Sequence, residues 1–188
     1  PEPEAAMVLV ADGATTESIL FCRQKNEERE IWDGFRYGPD AAMEIFGFDE
    51  AHPIDELAAR LPDLAADRPA LFTPIGMTAA WDQRIADTIN EVRDRVRTGV
   101  AAPETLVDVR QSLDAMRLVK DAHELDLMRR AAQISSGAHR RAMERTRPGW
   151  FEYQVEAELL HEFLRHGAQA VAYPSIVAAG PNACVLHY

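Results

Sequence analysis

The chain has 188 residues, of which 47% are hydrophobic and 27% charged, and its formal net charge is −11. This apolar content can form a buried core and excludes an intrinsically disordered chain. Because an acidic chain repels phosphate backbones, we expect no nucleic-acid partner. We expect no membrane partner either, since no apolar run approaches the roughly 20 residues that cross a bilayer.

The two cysteines bear on the cellular compartment. Cys22 and Cys184 are far apart in the chain and lack the C-x-x-C spacing of zinc and redox motifs. This usage argues against a disulfide framework and favours a reducing compartment, so we expect the cytoplasm.

Charge divides the chain into two parts. Residues 1–110 hold 22 acidic and 11 basic side chains, whereas residues 111–188 hold 9 of each. The whole net charge therefore lies in the first part, which is typical of two units with different surfaces. We place the boundary between Arg110 and Asp121.

The first unit alternates short apolar runs with amphipathic segments, which predicts α/β layers. Asp12-Gly13 is a strong hairpin-turn signal, and Pro62 is expected to end or kink its helix. The predicted elements are strands at 6–10, 18–22 and 71–75, helices at 39–46, 54–64 and 81–96, and a solvated loop at 24–30.

The second unit begins with the pattern of a capping box, Asp121 followed by Glu124. Helical spacing then continues to Arg147, which gives a helix of about 27 residues and roughly 40 Å. After Pro148-Gly149, further helical spacing predicts a second helix that ends near Gly167. Two strands complete a predicted α+β domain, at 171–178 and 183–188.

Motif searches based on the residues alone identify no reaction. His161 and His166 are five residues apart, so on a helix they point roughly 140° apart and cannot chelate one ion. Neither a nucleophile elbow nor a Gly-rich phosphate loop can be written in the sequence. His187 ends an apolar run, where function often lies, although such a histidine is more often structural.

Several short motifs nevertheless occur in the order known from one metallopeptidase family. In the second unit they are Met116–Leu125, Met128–Ala132, Arg147–Gly149 with Glu152, His166–Ala168, Tyr173–Val177, Gly180, Asn182 and Leu186–Tyr188. In the first unit they are residues 1–5, Glu30–Gly34, Gly38–Ala42 and Ala102-Pro103. Together they make the chain resemble the aminopeptidase P (Xaa-Pro aminopeptidase) family of the bacterial type, among the pita-bread and creatinase-like metallopeptidases.

The resemblance implies a fold of α/β and α+β class in two domains. Residues 1–115 would form a creatinase-like N-terminal domain, with a mixed sheet flanked by helices and an accessory, oligomerisation role. Residues 116–188 would form the truncated start of a pita-bread α+β metallopeptidase domain. The N-terminal domain is expected to be incomplete at its own N-terminus, and the metal-binding half is expected beyond Tyr188.

The resemblance also implies an activity. Family members release the N-terminal residue from peptides with proline in second position, using a metal-bridged hydroxide that attacks the scissile carbonyl. They bind two divalent ions, commonly manganese (Mn²⁺), through two Asp, one His and two Glu. All of these ligands would lie beyond Tyr188, so we expect this chain to bind no metal and to be inactive alone.

Three site residues follow from the resemblance. His187 matches the active-site histidine that contacts substrate near the scissile bond. Trp32 matches an aromatic position that, in a homo-oligomer (a dimer or tetramer), reaches the active site of another subunit. Arg97 matches a similar position, although its local sequence agrees less well.

Three alternatives remain open at this point. The protein could be a prolidase-like dipeptidase or a creatinase-like hydrolase that needs no metal. It could also be a non-catalytic pita-bread module that binds peptides or other proteins.

Overall fold

The computed structural model describes residues 3–188, so the first two residues of the 1–5 motif lie outside the described residues. The chain forms two compact units, of which the first ends at Asp114 and the second begins at Ala115. The sequence-based boundary lies one residue further along. Each unit has its own core, as described below.

The first unit is built on a mixed three-stranded sheet in the order β1-β2-β3. Strand β1 (Ala6–Ala11) pairs antiparallel with β2 (Thr16–Cys22), and β2 pairs in parallel with β3 (Glu50–Pro53). The Asp12 carboxylate accepts hydrogen bonds from the backbone N–H of Ala14 and Thr15, which confirms the predicted turn. Strand β3 was not predicted, because it is short and polar and ends in proline, as edge strands can.

Helices cover both faces of this sheet, as the fold class predicts. Successive side chains of a strand point to opposite faces. Phe21, which is fully buried, packs with Leu57 on one face, whereas Leu20 and Cys22 pack with Ala42 on the other.

The other elements of this unit comprise five helices and two short strands. The helices are α1 (Glu27–Asp33), α2 (Gly38–Phe46), α3 (Leu57–Ala65), α4 (Ala79–Asp94) and α5 (Arg110–Leu118), the last of which continues past Asp114. Strands β4 (Ala70–Thr73) and β5 (Thr105–Asp108) pair in parallel in a second sheet. Two 3₁₀ turns lie at Ile54–Glu56 and Val96–Thr98. Neither β5 nor α5 was predicted.

One local prediction is wrong, and in a second, that Pro62 ends or kinks its helix, the predicted end is wrong. The segment 24–30 is not all loop, because the Asn26 side chain accepts a hydrogen bond from the Arg29 N–H and starts α1. Pro62 does not end α3, which continues to Ala65. Burial of Leu61, which packs with Phe21 of the sheet, and of Ala65 stabilises the helix and offsets the one backbone hydrogen bond that proline cannot make.

The second unit contains two packed helices, α6 (Ala122–Arg145) and α7 (Glu152–Arg165). The predicted capping box is confirmed: Asp121 and Glu124 exchange hydrogen bonds of 2.8 and 2.9 Å between side chain and backbone. Ala138 and Ala142 of α6 are buried together with Leu159 of α7. The small side chains of the two alanines let the two helix backbones approach closely.

The two strands predicted at 171–178 and 183–188 are wrong. Residues 171–179 have no regular structure, and Gly180–Cys184 form a 3₁₀ turn. The described part of the second unit offers no other strand with which they could pair. An isolated two-stranded hairpin is marginally stable in water, and Pro181 removes a backbone donor.

Across residues 3–188, no helix has both the length and the apolar character that crossing a membrane requires.

The buried contacts of the first sheet lead to a stability prediction. Leu57 is 1% exposed, so Leu57→Ala should lower the free energy of unfolding by about 2–5 kcal/mol, because it leaves a cavity. Urea titration followed by circular dichroism measures this loss. The matched control is Leu9→Ala in β1, where the side chain is 58% exposed and we expect a loss below about 1 kcal/mol. Equal losses for both variants would contradict the assigned core.

Candidate functional site

The structure places the three predicted site residues on exposed parts of the two units. Trp32 lies on α1 with 83% of its surface exposed, and Arg97 is exposed in the 3₁₀ turn Val96–Thr98. Both belong to the first unit. His187 belongs to the second unit, where it is exposed just after the 3₁₀ turn Gly180–Cys184. Their functional roles stay predictions.

Residues 179–188, which we call the His187 segment, are held by a single carboxylate. Oε1 of Glu152 accepts hydrogen bonds from the backbone N–H of Ala179 at 2.6 Å and from Nδ2 of Asn182 at 3.0 Å. Oε2 of Glu152 accepts one from the Tyr188 hydroxyl at 2.8 Å. Glu152 therefore binds the segment at its start, in its middle and next to His187.

Local sequence explains why Glu152 is available for these bonds. Gly149 has a φ of +88°, which glycine adopts without strain, so the chain can turn between α6 and α7. At the start of α7, the Gln154 side chain accepts from the Phe151 N–H at 2.8 Å. The carboxylate of Glu152, the first helical residue, can then face the His187 segment. Negative charge is also favoured at a helix N-terminus.

These bonds reinforce the ordinary protonation states of both partners. Hydrogen bonds from Asn182, Tyr188 and Ala179 hold the pKa of Glu152 below its ordinary value. The bond to the Glu152 carboxylate raises the pKa of Tyr188. At neutral pH the carboxylate is therefore ionised and the phenol keeps the proton that it donates.

A cleft of about 550 Å³ lies beside Glu152 and its three hydrogen bonds, which we call the Glu152 anchor. Its lining combines aromatic rings, carboxylates and a few other polar groups. The lining residues are Trp150, Phe151, Glu152, Tyr153, Glu156, Ser175, Val177, Ala179, Asn182 and Tyr188. The residues of the Glu152 anchor thus form one wall of the cleft. One of them, Tyr188, directly follows His187 in sequence.

Residues 3–188 do not fit a two-metal centre, because they bring together no group of three or more His, Cys, Asp or Glu side chains that could hold an ion. His166, one of the histidines considered above, instead has its Nδ1 3.0 Å from the carbonyl oxygen of Glu162.

Sequence reasoning missed the part played by Glu152, which it noted only within a family motif. Its position after Pro148-Gly149 gives a local signal, an acidic residue in the first turn of a helix. That signal is ordinarily explained by the helix dipole. The partners of Glu152 lie up to 36 residues away in sequence, so local pattern does not reveal them.

Two protein families match the chain, one in each unit. Residues 1–72 match the family described as aminopeptidase P, N-terminal domain. Residues 126–188 match metallopeptidase family M24.

Individual relatives match the whole chain. The Xaa-Pro aminopeptidase of Escherichia coli is 40% identical over 188 residues, which cover 100% of this chain and 43% of that protein. The Xaa-Pro aminopeptidase of Haemophilus influenzae is 35% identical, with 100% and 41% covered. This chain therefore spans less than half the length of these curated relatives.

Solved structures agree with these matches. The aminopeptidase PepP of Pseudomonas aeruginosa superposes with a TM-score of 0.95 at 47% identity, over 100% of this chain and 42% of that one. An Escherichia coli aminopeptidase P variant in complex with substrate superposes with a TM-score of 0.95 at 40% identity, over 100% and 43%. The fold class inferred from the motifs is confirmed.

The chain is thus similar to an aminopeptidase P N-terminal domain in its first unit and to metallopeptidase family M24 in its second. Its similarity to Xaa-Pro aminopeptidases extends over the full length of the chain. The resemblance predicted from the motifs is confirmed.

The lowered pKa of Glu152 leads to a prediction about pH. A carboxylate whose pKa is lower in the folded state stabilises that state above its unfolded pKa and loses this effect as the pH falls through the folded pKa. The His187 segment should therefore stay anchored at neutral and mildly acidic pH. It should be released only below the usual range for a glutamate.

Nuclear magnetic resonance can follow this release through the Ala179 amide proton. We expect its chemical shift to titrate together with the Glu152 carboxyl carbon, with a midpoint below the ordinary glutamate value. In the control variant Glu152→Gln the Ala179 transition should disappear. An Ala179 amide that titrates unchanged in this variant would contradict the anchor.

Proposed function

We propose that the complete protein containing this chain is an Xaa-Pro aminopeptidase. It would release the N-terminal residue from peptides whose second residue is proline. The observation that carries the proposal is the 40% identity to an Xaa-Pro aminopeptidase over all 188 residues, which includes the His187 segment. The order of the two family matches along the chain supports the same conclusion.

In this proposal His187 is the residue of this chain that takes part in catalysis. Its imidazole is exposed, so it can contact a peptide near the scissile bond. A hydrogen bond aimed at the charge that develops on the carbonyl oxygen contributes several kcal/mol in a site that excludes water. The Glu152 anchor keeps the neighbouring backbone fixed, so the imidazole needs little reorganisation as that charge forms.

We propose that the complete protein binds two divalent ions, both of them manganese, through residues that this chain does not contain. Carboxylate-rich sites suit manganese, and a pair of ions supplies an activated hydroxide and polarises a carbonyl. Family M24 is a metallopeptidase family, which supports this proposal at the level of divalent ions in general.

We further propose a homo-oligomer in which Trp32 enters the active site of a partner subunit, with Arg97 in a lesser role. Trp32 is accompanied on the surface by Ile31 and Phe35, which are 79% and 63% exposed. Exposed apolar groups in such a cluster are typical of protein interfaces. The cysteine usage of the chain supports a cytoplasmic location.

The role of His187 can be tested in the complete protein with a Gly-Pro-Xaa tripeptide and added manganese. We expect His187→Ala to lower kcat by at least about a hundredfold, which is the usual effect of removing one such hydrogen-bond donor. His139→Ala, an exposed histidine on α6, is the matched control and should leave kcat unchanged. Near wild-type turnover by a folded His187→Ala protein would contradict the assignment.

The same assay separates the alternative functions. Hydrolysis of an Xaa-Pro dipeptide in preference to the tripeptide would indicate a prolidase. Turnover that survives complete removal of metal would indicate a creatinase-like hydrolase. A folded, metal-loaded protein that cleaves neither peptide would indicate a non-catalytic binding module.

The intersubunit role of Trp32 leads to a separate prediction. Trp32→Ala should lower kcat/KM by about tenfold or more, because a buried aromatic at an interface contributes about 2 kcal/mol. Its helix content, measured by circular dichroism, should stay at the wild-type value, since the side chain is exposed within its own unit. Met77→Ala, which truncates another exposed apolar side chain of the first unit, should change neither quantity. Unchanged kcat/KM for Trp32→Ala would contradict the role.

A further inference from the structure

We propose that Glu152 is a positioning residue for His187: its carboxylate fixes the backbone that carries the imidazole. The inference rests on the proposed function, because it concerns the efficiency of the same reaction. It adds a group that the resemblance assigns no role and that lies on a different element from His187.

The geometry of the three hydrogen bonds supports this role. Oε1 of Glu152 holds Ala179 and Asn182, and Oε2 holds Tyr188. His187 therefore lies between two anchored positions and directly beside one of them. One side chain thus closes the His187 segment into a loop against the start of α7.

Within the described residues, little else restrains the end of this segment. Val185 donates its backbone N–H to the Asn182 carbonyl at 3.0 Å, which is a contact inside the segment itself. Leu186 is 90% exposed and His187 is exposed, so burial does not fix them in this unit. Among the side-chain hydrogen bonds of residues 3–188, the Tyr188–Glu152 bond ties this end to a helix.

The three hydrogen bonds made by Glu152 require a carboxylate. An ionised glutamate accepts hydrogen bonds on both oxygens and has no donor, so it matches three donors from one segment. A glutamine of the same shape would present an NH₂ group where Oε2 now accepts from Tyr188. It would also lose the charge that strengthens these hydrogen bonds and suits the helix N-terminus.

The consequence for catalysis differs from that of a residue that only stabilises the fold. If Glu152 acts through His187, its loss should lower kcat and leave KM nearly unchanged, because the imidazole contact strengthens in the transition state. It should also have no further effect once His187 has been removed, since residues that act as a unit are not additive.

The experiment compares Glu152→Gln and the milder Tyr188→Phe in the complete, metal-loaded protein, each alone and combined with His187→Ala. We expect Glu152→Gln to lower kcat by at least about tenfold, which corresponds to the loss of a hydrogen bond to a charged group. Tyr188→Phe should lower kcat by a smaller factor. In the His187→Ala background, both substitutions should change kcat by less than about twofold.

The matched control is Glu144→Gln, which removes the same charge from an exposed position on α6 and should leave kcat unchanged. Hydrogen–deuterium exchange supplies a readout independent of activity. Residues 179–188 should exchange faster in Glu152→Gln than in the wild type, whereas α6 should exchange at the wild-type rate. Faster exchange confined to the segment shows that the variant has folded.

The possible failures are distinguishable. A wild-type protein that does not cleave the tripeptide overturns the proposed function and the positioning role with it. An active wild type whose Glu152→Gln variant keeps full kcat overturns the positioning role alone. The positioning role alone is also overturned if Glu152→Gln lowers kcat by the same factor in the His187→Ala background as in the wild type. If Glu152→Gln fails to fold, the same two comparisons made with Tyr188→Phe decide the question.

Discussion

The His187 segment depends on one carboxylate at the start of a helix. After Gly167 the described chain forms no further strand and no α-helix. Among residues 3–188, Glu152 supplies this region with three hydrogen bonds to a charged acceptor, and these are stronger than neutral ones. The candidate catalytic group of the second unit is thus positioned by a residue that comes long before it in sequence.

The two units make different contributions to this account. The first buries its own core between a mixed sheet and flanking helices, and residues 1–110 account for the net charge of −11. The second pairs its helices through small alanines and presents the cleft beside Glu152. The acidic character of the chain therefore comes from the first unit, and residues 3–188 bring together no group of three or more His, Cys, Asp or Glu side chains that could hold an ion.

Sequence patterns predicted those elements whose stabilising contacts are local. The capping box at Asp121 and the apolar period of α4 involve neighbours three or four residues apart, so they can be read directly. Strand β3 and the irregular course of residues 171–188 depend on which partner strands are present, and no short window contains that information. The catalytic role of His187 was predicted only through family resemblance. The role of Glu152 required the folded chain, because its partners are distant in sequence.

In this proposal the Glu152-anchored segment presents His187 to an Xaa-Pro peptide. A crystal structure of the complete protein with a slowly cleaved Xaa-Pro peptide bound is the sharpest test. We expect a ring nitrogen of His187 within about 3.2 Å of a polar atom of the peptide near the scissile bond, with Glu152 still bonded to Tyr188. A peptide bound with its scissile bond out of reach of the His187 imidazole would overturn the proposal.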